Sequence, residues 1–474
     1  MQRIAFIYRD ISFQAPLGIM YLSAFLKKSG HECRLFLIER DNIKDLKEFR
    51  PDFLCYTVTT SNYKYYLEYN KYLRGQLNAM SLFGGPHATF FPEMINEDGV
   101  DGVCVGEGEQ ALLDLVSRIE QKKDYSDALN WTLKVDGKVV KNKCIRLEAN
   151  IDNYPFPDRE TFFKTPQLRR SKIWIFIGSR GCPFQCSYCH NHMMKSIYDN
   201  EYRVRYRSIA NIMDEVAQVK KEFPLEMIMF TDDTFNLNKK WLKEFSREYE
   251  KKFRIPYSCY IRADLMDEEV GEYLNQSNCR IAYMGIESGN ERVRREILNR
   301  PMSNEQIVRA AGILNKNKVK IVALNILGIP GTTFAEDLDT LKLNILCKPY
   351  QAVGQLLQPY PNTKIFDYSL KLNLFTASDI SNLGDVFTDS KLSFNHKHLK
   401  QVIYLRDLFH FFVRFPFLFS LFPLFLIFPR KIFYYLAKVH YGYAKFRLFP
   451  LFNSPGEIWE ALINYYHREK RGTS

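Results

Sequence analysis

The sequence lacks a long uninterrupted apolar run. Its most apolar stretch, FPFLFSLFPLFLIFP at residues 415–429, spans only fifteen residues, contains three prolines and is flanked by Arg414 on one side and Arg430 and Lys431 on the other. A membrane-spanning helix needs about 17–25 apolar residues, so this stretch is too short to be one. The N-terminus has no basic region followed by an apolar core and a small-residue cleavage site, which argues against a secretory signal. We find no repeats and no low-complexity tract.

A disulfide framework is also missing. Seven of the ten cysteines are scattered, mostly within apolar strand-like runs, as expected of reduced and buried thiols. We therefore predict a cytoplasmic protein. The seven are Cys33, Cys55, Cys104, Cys144, Cys259, Cys279 and Cys347.

Acidic residues are scarce in the C-terminal region. From Lys391 to Ser474 there are thirteen lysines and arginines against four acidic residues, in a chain of net charge +12. Concentrated basic charge predicts an anionic partner, either a membrane surface or nucleic acid. Because the basic residues alternate with apolar runs rather than with exposed stacking aromatics, nucleic acid is disfavoured, and we predict peripheral membrane contact through residues 401–452. The alternative is that these aromatics cap the open end of a barrel or line a substrate tunnel.

Two blocks of alternating strand and helix patterns precede this region. The first, residues 1 to about 145, predicts a parallel sheet covered on both faces and a hairpin turning at Asp136 and Gly137. The second block predicts a three-quarter or complete β/α barrel with six strands. Its strand candidates lie at 172–179, 226–233, 257–264, 280–288, 320–328 and 352–360.

Small residues follow the strands of the first block. A ligand of a doubly wound sheet lies outside the carboxyl ends of the strands, although tight turns also require glycine. The pattern alone therefore leaves a ligand site and simple turns equally open. The candidate residues are Thr59, Gly84, Gly85, Pro86, His87, Thr89, Gly106, Glu107 and Gly108.

Three cysteines lie close together in the loop after the first strand of the second block. Cys182, Cys186 and Cys189 have the spacing C-x3-C-x2-C, at the edge where barrel enzymes place their chemistry. Zinc with His190 or His192 as a fourth ligand is one possibility, but structural zinc ligands usually come as two pairs and no second pair is present. We favour an iron–sulfur cube, since three cysteines leave one iron open to another ligand.

With Tyr188 directly before the last cysteine, this loop resembles that of the radical S-adenosylmethionine (SAM) superfamily. The resemblance implies that the three cysteines bind a [4Fe–4S] cluster whose open iron chelates SAM, and that cleavage of the sulfonium bond yields a 5′-deoxyadenosyl radical. GIESGN at 285–290, with Glu287 and Ser288, resembles the segment near the ribose and methionine, and LGIPGTT at 327–333, with Gly328 and Pro330, resembles the loop near the adenine.

Two further residues are assigned to the cofactor by the same resemblance. Arg262 stands where a basic residue meets the methionine carboxylate, and Asp232, in TDDTF at 231–235, ends the strand where the family presents polar groups. The alternative for both is an ion pair at the rim of the barrel.

The first block resembles the cobalamin-binding members of this superfamily, through APLGIMYLSAFLKKSGHEC, GGPHATFFPE and VDGVCVGEGEQALLDL. The D-x-H-x-x-G signature that supplies a histidine to cobalt is absent, because YRDISFQAPLG has Asp10 but no following histidine. The resemblance therefore implies cobalamin without a histidine lower ligand, or a chain that has lost cobalamin. We interpret His87 as a hydrogen bonder that shapes its loop rather than as a substitute ligand.

The fold class implied is α/β. We predict an N-terminal Rossmann-like cobalamin-binding domain at 1–148, a linker at 149–167, a central partial (β/α)6 TIM-like barrel at 168–375, and a helical, basic and aromatic-rich C-terminal region at 376–474.

The function implied by the resemblance is methylation of an unactivated carbon in a small-molecule or lipid-like substrate. The adenosyl radical removes hydrogen from the substrate, methylcobalamin donates a methyl group, a second SAM remethylates the cobalt, and a reductant such as flavodoxin or ferredoxin supplies electrons. Because the cofactors carry the chemistry, no side chain is predicted to act as a general base. Two alternatives stay open: cyclisation, oxidation or rearrangement without methyl transfer, and a non-enzymatic cobalamin- or zinc-binding sensor.

Overall fold

The chain divides into two compact units in its computed structural model. The first contains Met1–Ser171 and His190–Arg207, and the second contains Lys172–Cys189 and the chain from Ser208 onward. The sequence did not indicate that the chain returns to the first unit directly after the cysteine loop. The structure describes residues 1–9, 16–38, 41–144, 146–163, 169, 171–198, 202–376, 392–393 and 396–449.

The first unit is built on a seven-stranded sheet in the order β2-β1-β3-β4-β5-β6-β7. Strands β1 to β5 are parallel in the order 2-1-3-4-5, which is typical of a doubly wound fold. The predicted parallel sheet is confirmed. The strands are β1 Arg3–Tyr8, β2 Glu32–Leu37, β3 Phe53–Thr57, β4 Met80–Gly84, β5 Gly102–Cys104, β6 Trp131–Val135 and β7 Lys138–Lys141.

Local sequence signals account for the turns and helix ends of this unit. The antiparallel β6–β7 hairpin turns at Asp136 and Gly137, whose φ angles of 49° and 73° are the positive values that a type I′ turn requires. The first helix follows Pro16, and Gly30 beyond its end has a φ of 86°. The helices are α1 Leu17–Lys28, α2 Ile43–Phe49, α3 Tyr63–Arg74, α4 Pro86–Phe90, α5 Glu109–Glu120, α6 Arg159–Phe163 and α7 Asn191–Ile197.

The second unit is built on a six-stranded parallel sheet in which consecutive long strands are neighbours. This arrangement confirms the predicted partial (β/α)6 barrel, with β8 and β15 at the two edges of the sheet. Its strands are β8 Ile173–Phe176, β11 Met227–Phe230, β12 Tyr257–Ile261, β13 Cys279–Glu287, β14 Lys320–Leu327 and β15 Gln351–Leu356, with the two-residue strand β9 at Ser179–Arg180. The two-residue strand β10, Arg205–Tyr206, belongs to the first unit.

Helices follow the strands of the barrel and continue into the C-terminal region. They are α8 Ile209–Glu222, α9 Lys239–Lys252, α10 Glu268–Gln276, α11 Asn304–Lys316, α12 Phe334–Cys347, α13 Lys364–Lys371, α14 His396–Arg414, α15 Phe422–Phe425 and α16 Arg430–Leu448, with a π-helical turn at Val293–Ile297.

The C-terminal region falls into a buried part and an exposed part. On α14, Val402, Leu405, Phe409 and Phe412 are buried in one apolar cluster with residues of β15 and α12. The first part of the segment predicted to contact a membrane is therefore internal and packs on the barrel, and residues 450–452 of that prediction lie outside the described residues. No helix in the described part of the chain is long and apolar enough to cross a membrane.

Candidate functional site

Backbone contacts anchor the cysteine loop after β8. The amide of Ser187 donates to the carbonyl of Leu298 at 3.0 Å, its hydroxyl donates to the carbonyl of Ile297 at 2.6 Å, and its own carbonyl accepts from the amide of Ile365 at 3.0 Å. The side chain of Asn299 also donates to the carbonyl of Gln185 at 2.7 Å. The π-helical segment and the start of α13 therefore define the path of the loop between its first and last cysteine.

Two guanidinium groups flank Cys186. Its buried Sγ lies 3.8 Å from Nη1 of Arg262 and 3.8 Å from Nη1 of Arg300. The half-buried Cys182 has its Sγ 3.9 Å from Oγ1 of Thr234, and burial raises the pKa of the Cys182 thiol. Charged donors directed at a sulfur suit an anionic thiolate ligand.

No disulfide engages the cysteine sulfur atoms. None of the ten cysteines is part of a disulfide, and in the described ranges no three His, Cys, Asp or Glu side chains are arranged to hold one metal ion. A single zinc ion requires such a group, whereas the thiolates of a cube each bind a different iron and need not share one ion. His190, a candidate fourth zinc ligand, stacks on Phe90 in the first unit with ring centroids 4.5 Å apart. The donor set fits an iron–sulfur cube.

The structure brings together Tyr188 and Glu287, which the sequence placed at the cofactor separately. The hydroxyl of Tyr188 donates to Oε1 of Glu287 at 3.0 Å, and burial raises the pKa of both groups. Arg300 donates to the carbonyl of Gly285 at 2.9 Å. A Cβ on Gly285 would lie 2.5 Å from Oε1 of Glu287, so only glycine leaves room for this carboxylate at the end of β13.

Arg262 and Asp232 make well-defined protein contacts at the strand ends. Arg262 donates to Asp264 at 3.0 and 2.8 Å, and its guanidinium lies 3.5 Å from the ring centroid of Phe184. Asp232 is buried and accepts from the amide of Gly178 at 3.0 Å and from the hydroxyl of Ser179 at 2.6 Å. Burial raises the pKa of Asp232 to about 6. Asp232 thus orders the start of the cysteine loop, and direct cofactor contact by either residue stays a prediction.

The remaining cofactor candidates of this unit lie on loops held by buried side chains. The carbonyl of Ser288 accepts from the fully buried guanidinium of Arg294. Gly328, with a φ of 65°, donates its amide to Oδ1 of the buried Asp337 at 3.0 Å, and Pro330 follows two residues later. Arg294 and Asp337 therefore hold the two loops in place at the carboxyl ends of β13 and β14.

In the first unit, aromatic rings enclose His87. Its ring is buried and lies 3.9 Å from the ring centroid of Tyr63 and 4.7 Å from that of Phe91, and its Nδ1 is 3.3 Å from Oγ1 of Thr60. Burial, reinforced by His190, lowers the pKa of His87 to about 4. These contacts agree with a loop-shaping role for His87, which stays a prediction.

Close packing and backbone conformation require a glycine at position 85, near His87. Gly85 has a φ of 92°, and a Cβ there would lie 2.7 Å from Oγ1 of Thr57. The neighbouring candidates Gly84, Pro86 and Thr59 lie on the same edge of the sheet, and the amide of Thr59 donates to the side chain of Asn62 at 2.8 Å.

An ion pair between a buried arginine and a partly buried glutamate holds the other loop of the first unit. Glu107 pairs with Arg205, and its amide donates to the hydroxyl of Tyr198 at 2.7 Å. The neighbouring Gly106 donates its amide to Oγ1 of Thr89 at 3.1 Å, and a Cβ on Gly106 would lie 2.0 Å from the Tyr198 hydroxyl. The next residue, Gly108, precedes α5. Glu107 therefore ties the segment that follows the cysteine loop to the sheet of the first unit.

Sequence reasoning missed four residues of these arrangements. Arg300 and Thr234 contact cysteine sulfurs, and Tyr198 and Arg205 hold Glu107. Thr234 lies within TDDTF at 231–235, the segment that the sequence already assigned to the cofactor, so the motif could have indicated it. The other three lie outside the motifs, and only their spatial neighbours reveal them.

Comparisons with known proteins match both units. The model of the radical SAM superfamily matches residues 176–343, and the model of the B12-binding domain matches residues 12–116. The chain is 27% identical to an uncharacterized methyltransferase of Pyrococcus horikoshii over 378 residues, which cover 76% of this chain and 79% of the relative. It is 25% identical to the anaerobic magnesium-protoporphyrin IX monomethyl ester cyclase of Rubrivivax gelatinosus over 374 residues, which cover 74% of this chain and 65% of the relative.

A solved structure shares the fold. The radical S-adenosylmethionine methyltransferase TsrM from Kitasatospora setae, with cobalamin and a [4Fe–4S] cluster bound, is similar with a TM-score of 0.65 at 17% identity. The similarity covers 77% of each chain.

Proposed function

Because the chain belongs to the cobalamin-binding branch of the radical SAM superfamily, we propose that it methylates an unactivated carbon of a small-molecule or lipid-like substrate. Its cofactors are a [4Fe–4S] cluster, SAM and cobalamin. When bound, the cluster and SAM supply a 5′-deoxyadenosyl radical, and cobalamin supplies the methyl group. The radical SAM model and the methyltransferase and cyclase relatives favour an enzyme over the non-enzymatic sensor.

The observation that carries the proposal is the arrangement around Cys186. A cysteine loop at the carboxyl edge of a parallel barrel sheet carries two guanidinium groups at its central sulfur, and the Tyr188–Glu287 pair lies beside them. In our proposal Cys182, Cys186 and Cys189 hold the cluster, Arg262 and Arg300 balance its negative charge, and Glu287 and Ser288 orient SAM. In the first unit, the loops carrying Gly85 and Gly106 hold cobalamin without a histidine ligand.

The proposal includes a source of electrons and a compartment. A net charge of +12 favours association with an acidic electron carrier such as flavodoxin or ferredoxin. Ten cysteines without a disulfide suit a reducing compartment, so we propose a cytoplasmic enzyme. A lipid-like substrate would be met by peripheral contact with a membrane.

Anaerobic reconstitution tests the proposal. We expect the ultraviolet–visible spectrum of the reconstituted chain to show both an iron–sulfur cluster and a corrin, and dithionite with SAM to yield 5′-deoxyadenosine. Methyl-labelled SAM incubated with a lipid extract should then transfer label to a product. Binding of iron and sulfide without any 5′-deoxyadenosine would contradict the proposal.

A matched pair of variants assigns the cluster to the loop. Cys186→Ala should abolish cluster assembly and 5′-deoxyadenosine formation. Cys144→Ala, at a half-buried cysteine of the first unit, should retain both. Equal cluster content in the two variants would contradict the assignment.

A second candidate function keeps the cofactors but omits methyl transfer. It is favoured by the similarity to a cyclase, a relative that matches about as much of this chain as the methyltransferase does. The two functions differ in one measurement, because cyclisation, oxidation or rearrangement leaves no labelled methyl group in the product. A product formed with 5′-deoxyadenosine but without label would favour this candidate over methylation.

A further inference from the structure

The described end of the C-terminal region exposes a concentrated apolar surface. Of the seventeen exposed large hydrophobic side chains among the described residues, eleven lie between Phe417 and Phe446. Exposed apolar residues are normally scattered singly, and a contiguous patch marks an interaction site. The most exposed members are Phe417, Ile427, Ile432, Leu436, Val439 and Tyr443, which we call the apolar face.

Helix α16 is apolar on two sides. Ile432, Leu436, Val439 and Tyr443 follow one another at intervals of four, three and four residues, so they share one face of the helix. Other residues of α16, such as Phe433, pack against the cluster formed by α14 and β15. A surface helix of a globular protein normally has polar residues on its outward face. The exposed stripe of α16 therefore requires an apolar environment that the described residues do not supply.

The charged residues within the stretch of sequence that forms the apolar face are all basic. Between Leu408 and Gly456 the sequence contains no aspartate or glutamate. Arg414, Lys431 and Arg447 are exposed, whereas Arg430 is neutralised by Asp407 at 2.6 Å. An apolar surface with a cationic rim complements the boundary between acyl chains and anionic lipid headgroups.

A second copy of this chain fits the face less well. A two-fold dimer is isologous, so the same surface meets itself and the same cations face one another. Like charges brought together in this way oppose association. An anionic bilayer satisfies both the apolar stripe and its cationic rim.

We propose that the apolar face and its exposed cations form a membrane-docking surface that lies in the headgroup boundary of a bilayer containing anionic lipid. The buried α14 anchors this surface to the barrel and does not itself enter the bilayer. The surface deepens the proposed function by stating where a lipid-like substrate is met, and it rests on that function only for the identity of the substrate.

Flotation of the full-length, anaerobically reconstituted chain with vesicles tests the surface. We expect co-flotation with vesicles of phosphatidylcholine and phosphatidylglycerol and much weaker flotation with phosphatidylcholine alone. Exchanging Lys431 and Arg414 for glutamine should weaken binding to the anionic vesicles by about thirtyfold, because two basic residues near the surface together contribute about 2 kcal/mol. Failure of the unaltered chain to float with either vesicle would overturn the proposal.

The chain offers a closely matched control for the apolar stripe. Leu436 on the apolar face and Leu346 at the end of α12 are both 64% exposed. Leu436→Glu combined with Val439→Glu should abolish flotation, whereas Leu346→Glu should leave it unchanged. The assignment would be overturned if the Leu436 and Val439 double variant and the Leu346→Glu variant both lost flotation, or if both retained it. The assignment would also be overturned if the chain formed a concentration-dependent dimer that Leu436→Glu dissociates, and if the chain did not bind vesicles.

Formation of 5′-deoxyadenosine by the same preparations separates this inference from the proposed function. We expect the doubly substituted variant to cleave SAM at the rate of the unaltered chain, which also shows that it is folded. If the parent chain floated with vesicles but did not cleave SAM, the enzymatic function would be overturned and the docking surface would still be supported.

Discussion

Nη1 of Arg300 lies 3.8 Å from Sγ of Cys186, on the same sulfur that Arg262 approaches at an equal distance. Arg300 is buried, and its Nε has no hydrogen-bond partner in the described structure. Unlike Arg262, which pairs with Asp264, it makes no ion pair within the salt-bridge distance among the described residues. Its positive charge is therefore directed at the sulfur and at the neighbouring Glu287, which lies at the end of the strand whose Gly285 carbonyl accepts from Arg300.

Arg300→Gln should make the reduction potential of the cluster more negative. A reduced cluster carries one more negative charge, so removal of a neighbouring cation and of a hydrogen bond to sulfur destabilises the reduced form. A loss of about 1.4 kcal/mol corresponds to about 59 mV for a one-electron couple. Electron paramagnetic resonance during a redox titration measures the shift.

Arg295→Gln is the control for Arg300→Gln. Arg295 lies on the same segment but is exposed and pairs with Glu296, so its variant should keep the original potential. Arg300→Lys should shift the potential less than Arg300→Gln, because the charge is retained. The same midpoint in all four proteins would exclude a role for Arg300 in tuning the cluster.

Comparison of Arg300 with Tyr188 shows what the sequence can reveal. The six barrel strands and the loop of Tyr188 were predictable, because hydrophobic periodicity is a local signal and the cysteine spacing is a motif. Arg300 reaches Cys186 only through the path of the π-helical turn Val293–Ile297. A π-turn shifts the helical register by one residue, and no local pattern in this sequence predicts it.

In the first unit, too, contacts between distant parts of the chain were not predictable from the sequence. Its sheet was predictable from alternating strands and helices, but the return of His190–Arg207 was not. Tyr198 and Arg205 hold Glu107 across about ninety residues of sequence. Gly106 and Glu107 were predicted as cofactor residues; the structure adds that they also contact a tyrosine and an arginine of the same chain, and their contact with a cofactor stays a prediction.

Glu107→Gln should destabilise the first unit by about 3–5 kcal/mol. It leaves the guanidinium of Arg205, which is almost fully buried, without its counter-charge. Chemical denaturation followed by circular dichroism measures the loss. The double substitution Glu107→Gln with Arg205→Gln should recover part of it, since no unpaired buried charge is left.

Asp127→Asn is the matched control for Glu107→Gln. Asp127 pairs with Arg118 at an exposed site, so its variant should change the free energy of unfolding by no more than about 1 kcal/mol. If Glu107→Gln left stability unaltered but weakened cobalamin binding, Glu107 would be a cofactor contact, as the sequence suggested, rather than a structural partner of Arg205.

The buried His87 should make the stability of the first unit depend on pH. Its pKa is about 4 in the folded chain against an ordinary value of 6.5, so the unfolded chain takes up the proton first as the pH falls. The free energy of unfolding should therefore decline by about 2 kcal/mol between pH 7 and pH 5. His87→Gln should remove this part of the decline, as measured by denaturation at each pH. Parallel pH profiles for the two chains would show that His87 titrates normally.

Replacing either of two barrel glycines by alanine should change the free energy of unfolding, in opposite directions at the two positions. A Cβ on Gly289 would lie 2.1 Å from the carbonyl oxygen of Asp339, so Gly289→Ala must displace the backbone of α12, at a cost of about 1–3 kcal/mol. Gly312, exposed on α11, has nothing within 4 Å of the added atom, so Gly312→Ala should stabilise the helix by about 0.5–1 kcal/mol. Because Gly289 follows Ser288 directly, its variant should also reduce SAM cleavage, whereas Gly312→Ala should preserve it. Equal denaturation midpoints for the two variants would mean that the close approach of α12 to the end of β13 does not constrain the cofactor loop.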